Sequence, residues 1–251
     1  MRLNIHPLGC TPSEILEEYR LAAPDLPEPS GSGRLGVVGG GPSIRDHVEE
    51  LRAWPGDLWA INGAWNWCRD HDIDAWFFSI DPLHGEGHLV QGADKVILSD
   101  QTCPEAWLAA SGDVRRARNP YAGPTSAVAA SVLSIRSGYD GATFFGCEGS
   151  YPERGLTHAY ETPDNSTPIR LTCGHDSFLI KLELILQVEQ LSDVIRTLPA
   201  RFSEESGGFL RAMIEHDEYD VTHVTPDLYA QYAANTLAAD KDSFNEQFPR
   251  D

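Results

Sequence analysis

LGVVGGGPSIRDHVEELRAW (residues 35–54) decides the fold. Its first half is a short β-branched run that ends in three glycines. Its second half opens on a proline and places Ile44, Val48 and Leu51 at helical spacing. Proline suits a helix's first turn, where its missing N–H costs nothing. Strand, glycine turn, helix is the opening of an α/β unit. The pattern then repeats. DLWAIN (57–62) reads as a strand, GAWNWCRDHD (63–72) as a helix, AWFFSID (75–81) and KVILSD (95–100) as strands. PEAWLAA (104–110) is a short helix, TSAVAASVLSIRSG (125–138) a long helix of small residues, and ATFFGCEGS (142–150) a buried strand running into a polar turn. Such alternation predicts an α/β fold: a mostly parallel sheet with helices on both faces. Ligands of these sheets bind beyond the carboxyl ends of the strands.

Working outward, TPSEILEEYRLA (11–22) reads as a helix capped by Thr11 or Ser13, and PDLPEPSGSGR (24–34) as an exposed linker. Residues 152–176 mix Pro, Gly, Asn and Thr with little periodicity, which predicts a functional loop or lid. SFLIKLELILQVEQLSDVIRTL (177–198) reads as one apolar helix, and the chain after Phe202 as a helical tail. The expected division is therefore an N-terminal helix and linker (1–33), a main α/β domain (34–200) that includes the lid, and a C-terminal tail (201–251).

The 38 Asp+Glu outnumber the 19 Lys+Arg, so the formal net charge is −19. That excess argues against a protein that wraps duplex DNA or lies on anionic lipid. It leaves open a small anionic substrate held by backbone amides. No apolar run reaches the roughly 20 residues that span a bilayer, and MRLNIHPLGC lacks the apolar stretch of a secretory signal. The scattered cysteines Cys10, Cys68, Cys103, Cys147 and Cys173 form no CxxC pair and fit reduced, buried thiols. A cytoplasmic location is the expectation.

Candidate chemistry gathers at the predicted strand ends. Gly39, Gly40, Gly41, Pro42 and Ser43 form either a phosphate-approaching loop or a tight turn. They match neither GxGxxG nor a P-loop, because no Lys follows. Asn62, Asp81 and Asp100 end three successive strands, where each is a ribose, base or metal-water ligand, or else a helix cap. Gly123, Thr125 and Ser126 open the long helix and offer hydroxyls and amides to a phosphate, or an ordinary cap. Glu148, Ser150 and Tyr151 follow the last strand, with His158, Tyr160, Glu161 and His175–Asp176 beyond. A histidine in a polar loop past the sheet is a candidate general base or acid. The six tryptophans, all between Trp54 and Trp107, read as core rather than a base-stacking platform, and the basic run Arg115–Arg118 as a solvated loop.

In order, VVGGGPSI (37–44), AINGA (60–64), SID (79–81), GPTS (123–126) and GCEGSY (146–151) resemble the family named for 6-hydroxymethylpterin diphosphokinase. That family includes the central domain of the motility-associated (Maf) flagellin glycosyltransferases. The same segments are similar to the bacterial sialyltransferases of glycosyltransferase family 42, whose sheet is Rossmann-like. Gly40 stands where those enzymes carry an asparagine, and CGHDSFLIKLELIL (173–186) resembles the segment that ends their lid. The resemblance implies a Rossmann-like catalytic domain in which His175 is the general base, with His158 as the substitute if the alignment slips. It implies that Tyr151 and Tyr160 hydrogen-bond the departing phosphate, and that the loop glycines, Ser43 and Asn62 hold the nucleotide.

Three readings follow. The first is a nucleotide-sugar-dependent, sialyltransferase-like glycosyltransferase with a CMP-type donor, an acceptor that is a saccharide, protein or small molecule, and no required metal. The second is a diphosphokinase that uses ATP and Mg²⁺ on a pterin-like hydroxymethyl compound, with Asp81, Asp100 and Glu148 holding the metal. The third is a nucleotide-binding module without catalysis.

Overall fold

The computed structural model describes residues 26–82, 86–118, 125–151, 157–160 and 169–223. The helix expected over 11–22, Gly123, Glu161, most of the lid and the chain beyond 223 lie outside the described residues. In chain order the strands are β1 (Arg34–Val38), β2 (Leu58–Ile61), β3 (Trp76–Ser79), β4 (Lys95–Ser99), β5 (Asp113–Ala117), β6 (Gly141–Phe145), β7 (Ile169–Cys173), β8 (Asp176–Ile180), β9 (Phe202–Glu204) and β10 (Tyr219–His223). A 3₁₀ turn (Pro42–His47) runs directly into α1 (Val48–Arg52). The further helices are α2 (Ala64–Asp70), α3 (Pro104–Ala109), α4 (Ser126–Arg136), α5 (Leu182–Thr197) and α6 (Gly208–His216).

Seven strands form one sheet in the order β5-β4-β3-β2-β1-β6-β9, and every pairing in it is parallel. Because successive side chains on a strand point to opposite faces, the sheet feeds two cores. Leu35, Val37, Trp59, Phe78, Ile97 and Phe144 pack with α4, α5 and α6 on one face. Val38, Leu58, Ala60, Phe77, Val96, Leu98 and Phe145 pack with the 3₁₀ turn, α1, α2 and α3 on the other. The expected Rossmann-like arrangement, a parallel sheet covered on both faces, is what the chain builds. Trp59, Trp65, Trp67 and Trp107 are buried in these cores, and Trp54 and Trp76 pack against them. Cys68, Cys103, Cys147 and Cys173 are buried free thiols. No helix among the described residues is long and apolar enough to cross a membrane.

Three segments differ from the sequence reading. Arg115–Arg118, expected as a solvated loop, lies largely in β5, the edge strand. Val114 and Ala117 face inward, Arg115 pairs with Asp113 at 2.6 Å, and Arg116 reaches Asp100 at 2.6 Å. Charge is tolerated there because an edge strand has one neighbour and blunts its open side with ionic side chains. Residues 169–180, expected as the end of a lid and the start of a helix, form the hairpin β7–β8. Gly174 (φ +60°) and His175 make its two-residue turn, which favours glycine at the first position. With β10 the hairpin builds a second, antiparallel sheet in the order β10-β7-β8. The described part of the tail holds α6 but also supplies β9 to the main sheet and β10 to the small one.

Phe144 is fully buried on β6, between β1 and β9. Phe144→Ala should cost about 3–5 kcal/mol of unfolding free energy, read as a lower urea midpoint at unchanged m-value. A loss under about 1 kcal/mol would contradict this placement of the core.

Candidate functional site

From β1 the chain marches outward through β2, β3, β4 and β5, then returns to lay β6 on the other side of β1. Loops leaving β1 and β6 therefore diverge, which opens a crevice at the carboxyl ends of the strands. A cleft of about 360 Å³ lies there, within the size range of small-molecule sites. Its walls come from Gly39–Gly41 after β1, Asn62 after β2, Asp81 after β3, Gln101 after β4 and Gly146–Tyr151 after β6. Thr125 and Ser126 of α4, Thr157, His158 and Tyr160, and Lys181, Leu184 and Gln187 close it.

The three loop glycines each answer a different close approach. A Cβ on Gly39 would stand 2.4 Å from the Gly146 carbonyl oxygen, and one on Gly40 2.5 Å from the Tyr160 hydroxyl. One on Gly41 would stand 2.1 Å from a Glu148 carboxylate oxygen. Gly39 N–H donates to Phe145 O at 2.7 Å and Gly41 N–H to Gly146 O at 2.8 Å. These amides fasten the loop to β6 and are not aimed at the cleft as a phosphate cradle would be.

Glu148 is 5% exposed, and its carboxylate accepts from Ser43 N–H and from Ser43 Oγ–H, both at 2.9 Å. It thus occupies the anion position at the start of the 3₁₀ turn. Burial pushes its pKa up, against the Ser43 hydrogen bonds, which pull it down. Pro42 and Ser43 build this turn and do not line the cleft.

Asn62 holds a left-handed backbone (φ +47°), which asparagine tolerates better than most residues. Its side-chain oxygen is buried with no hydrogen-bond partner, a costly arrangement in a native protein. Thr125 caps α4 by accepting from Val128 N–H at 3.4 Å. Ser150 accepts from Phe209 N–H at 3.0 Å, which caps α6, and Tyr151 N–H donates to Leu179 O of β8 at 3.0 Å.

The segment 157–160 lies across the glycine loop. Ala159 N–H donates to Gly40 O at 2.9 Å, and the His158 and Tyr160 rings sit 5.3 Å apart. His158 Nδ1 is 3.0 Å from Thr157 Oγ1. Burial pushes the Tyr160 phenol up to about 12. His175 is exposed in the β7–β8 turn and does not line the cleft. Asp100 is turned to Arg116 and does not line it either.

Of the residues expected to hold Mg²⁺, Asp81 and Glu148 both line the cleft, with Glu148 serving Ser43, whereas Asp100 pairs with Arg116 outside it. No group of three or more His, Cys, Asp or Glu able to hold a metal occurs among the described residues. The sequence reading missed Lys181, the only Lys or Arg among the described residues lining the cleft. Reading 177–180 as strand would have placed Lys181 at the junction of β8 and α5.

A raised folded-state pKa adds stability that is present below the unfolded value and lost as the pH climbs through the folded one. Glu148→Gln keeps an acceptor for Ser43 and removes the titration. Melts from about pH 4 to about pH 8 should show wild type losing ground to E148Q as the pH rises. A constant difference would contradict the buried, partly desolvated carboxylate.

No family model matches the chain, and no curated protein does. Among solved structures it is similar to the Maf glycosyltransferase from Magnetospirillum magneticum AMB-1, with a TM-score of 0.54 and 16% sequence identity. The match covers 94% of this chain and 43% of that one, so this chain spans less than half of that protein's length. At such identity the likeness is one of fold.

Proposed function

We propose that the cleft binds a nucleotide-linked sugar and transfers the sugar to an acceptor hydroxyl. The observation that carries this reading is Asn62: a left-handed backbone at the end of β2, in the cleft wall, with a buried side-chain oxygen that has no partner. Strain and an unmet acceptor are kept together where a ligand donor, such as a base amino group or a sugar hydroxyl, satisfies them. The glycosyltransferase named above shares the fold and adds support.

Charge in the cleft favours a donor with one phosphate, a CMP-type donor, over a diphosphate. Lys181 is the one Lys or Arg among the described residues that line the cleft, and the same lining holds Asp81 and Glu148. The Gly39, Gly41 and Ser43 amides already serve protein acceptors. A phosphate in the cleft then has Lys181 and the N-terminal end of α4 at Thr125–Ser126 as its counter-charges.

In the proposed reaction the acceptor oxygen attacks the anomeric carbon while His158 takes its proton. The bond from that carbon to the phosphate oxygen breaks, and the nucleoside monophosphate leaves with the bonding pair. The reaction uses the tautomer in which His158 Nδ1–H donates to Thr157 Oγ1, 3.0 Å away, and the lone pair lies on Nε2, as a general base requires. Tyr160, held protonated by burial, donates to the departing phosphate, and Lys181 meets its new charge. His158 takes the role that the family resemblance gave to His175. The scheme routes no step through a metal ion, and the acceptor is a saccharide, a protein or a small molecule.

A thermal-shift panel of CMP, CDP, UDP, GDP, ADP and ATP, each with and without Mg²⁺, tests the donor class. A ligand at 100 times its dissociation constant adds about 2.7 kcal/mol, a shift of several degrees. CMP should stabilise the chain without metal. Stabilisation only by ATP with Mg²⁺ would instead support the diphosphokinase, and no shift from any of them a module that binds no nucleotide in this cleft. With a turning-over donor, His158→Ala should lower kcat at least about 100-fold and leave CMP binding intact. The reverse pattern, loss with His175→Ala and none with His158→Ala, would return the base to His175.

A further inference from the structure

Ala159 is fixed on three sides. Its methyl is buried in the core under the 3₁₀ turn, its N–H is bonded to Gly40 O, and its carbonyl accepts two bonds from Arg45. Arg45 Nε stands 3.1 Å and its terminal nitrogen 2.7 Å from that carbonyl oxygen. Both neighbours of this anchored residue, His158 and Tyr160, line the cleft. Arg45 itself is exposed and lies on the 3₁₀ turn outside the cleft lining. Two donors converging from one planar guanidinium set both the direction and the distance of the carbonyl they hold.

From this geometry we infer that Arg45 is a positioning residue for the proposed transfer. By clamping the Ala159 carbonyl it fixes the height of His158 and Tyr160 over Gly40, and so places base and phosphate donor relative to the nucleotide. The inference rests on the reading of His158 and Tyr160 given above, but the clamp itself is a separate claim. Contacts on either side agree with it. His158 Cδ2 lies 2.8 Å from where a Cβ on Gly40 would be, and the Tyr160 hydroxyl 2.5 Å from it, so the segment rests on a surface that glycine alone leaves open. A shift of about 1 Å at the reacting groups is enough to cost about 100-fold in rate. An exposed side chain outside the cleft thereby controls groups inside it.

Arg45→Ala in the full chain tests the clamp, with Arg45→Lys, which keeps the charge but gives up the fork, as the milder variant. Amide exchange should show protection of the Ala159 N–H falling about tenfold in Arg45→Ala and about threefold in Arg45→Lys, while the strands of the main sheet keep theirs. The NMR cross-relaxation contact between the His158 ring proton and the Gly40 α-protons should weaken in parallel. In turnover with a CMP-linked sugar, kcat should fall at least about tenfold with KM within about twofold. Unchanged Ala159 exchange and an unchanged His158–Gly40 contact would overturn the clamp, as would a uniform loss of protection across the sheet in both variants. If CMP does not bind wild type, the transferase reading fails, and with it the catalytic consequence drawn for Arg45; the exchange and contact measurements then still decide whether the clamp exists.

Discussion

Gly39 and Gly146 bring the ends of β1 and β6 so close that a Cβ on either would strike the other's backbone, at 2.4 and 2.6 Å. That approach, with Gly39 N–H bonded to Phe145 O and Gly41 N–H to Gly146 O, zips the strands past the last ladder pair, Val38 and Phe145. The two loops that open the cleft are hung from this seam. It sends the glycine loop to one side and the Cys147–Tyr151 turn to the other, and it sets Glu148 against Ser43. It also leaves Gly40 with its carbonyl facing Ala159. The crevice at the switch point is the space these two diverging loops cannot fill.

Charge is distributed across that space unevenly. A carboxylate from the β6 turn fills the place at the start of the 3₁₀ turn where a bound anion would otherwise sit. The Gly39, Gly41 and Ser43 N–H groups are thus bonded within the protein, and the phosphate of the proposed donor is assigned to the side of Lys181 and the α4 N-terminus. The proposed site is built from opposite sides: Asn62 and Asp81 on the strand ends, Lys181 and Gln187 from the start of α5, and His158 and Tyr160 from above.

Much of this was legible in the sequence. The β-branched and aromatic runs before Gly39, Asn62, Asp81, Asp100 and Gly146 announce buried parallel strands, because strands covered on both faces need no polar alternation. Each ends on a residue type suited to a strand-end turn, so the cleft-lining glycines, Asn62, Asp81 and the Glu148 turn could be named from order alone. What could not be read depended on partners distant in the chain. Arg115–Arg116 looked like loop because charge signals exposure, and only the edge position of β5 reconciles the two. Ser177–Ile180 continues an apolar run into α5, so nothing local marks the end of a strand at Ile180. His175 looked catalytic in a polar stretch, yet Gly174 beside it is a hairpin glycine. Glu148's role was invisible because its partner, Ser43, lies 105 residues away, and Arg45's because its partner is a backbone carbonyl 114 residues away.

The central claim is that the cleft takes a nucleotide with its phosphate on the Lys181 and α4 side, because Glu148 holds the glycine loop. A crystal structure with CMP bound tests it most directly. The account predicts CMP in the cleft, a donor of the nucleotide on the Asn62 oxygen, and the phosphate within hydrogen-bond reach of Lys181 or the Thr125–Ser126 end, with Glu148 still on Ser43. A phosphate lodged on the Gly40–Ser43 amides with Glu148 displaced, or CMP bound outside the cleft, would contradict it.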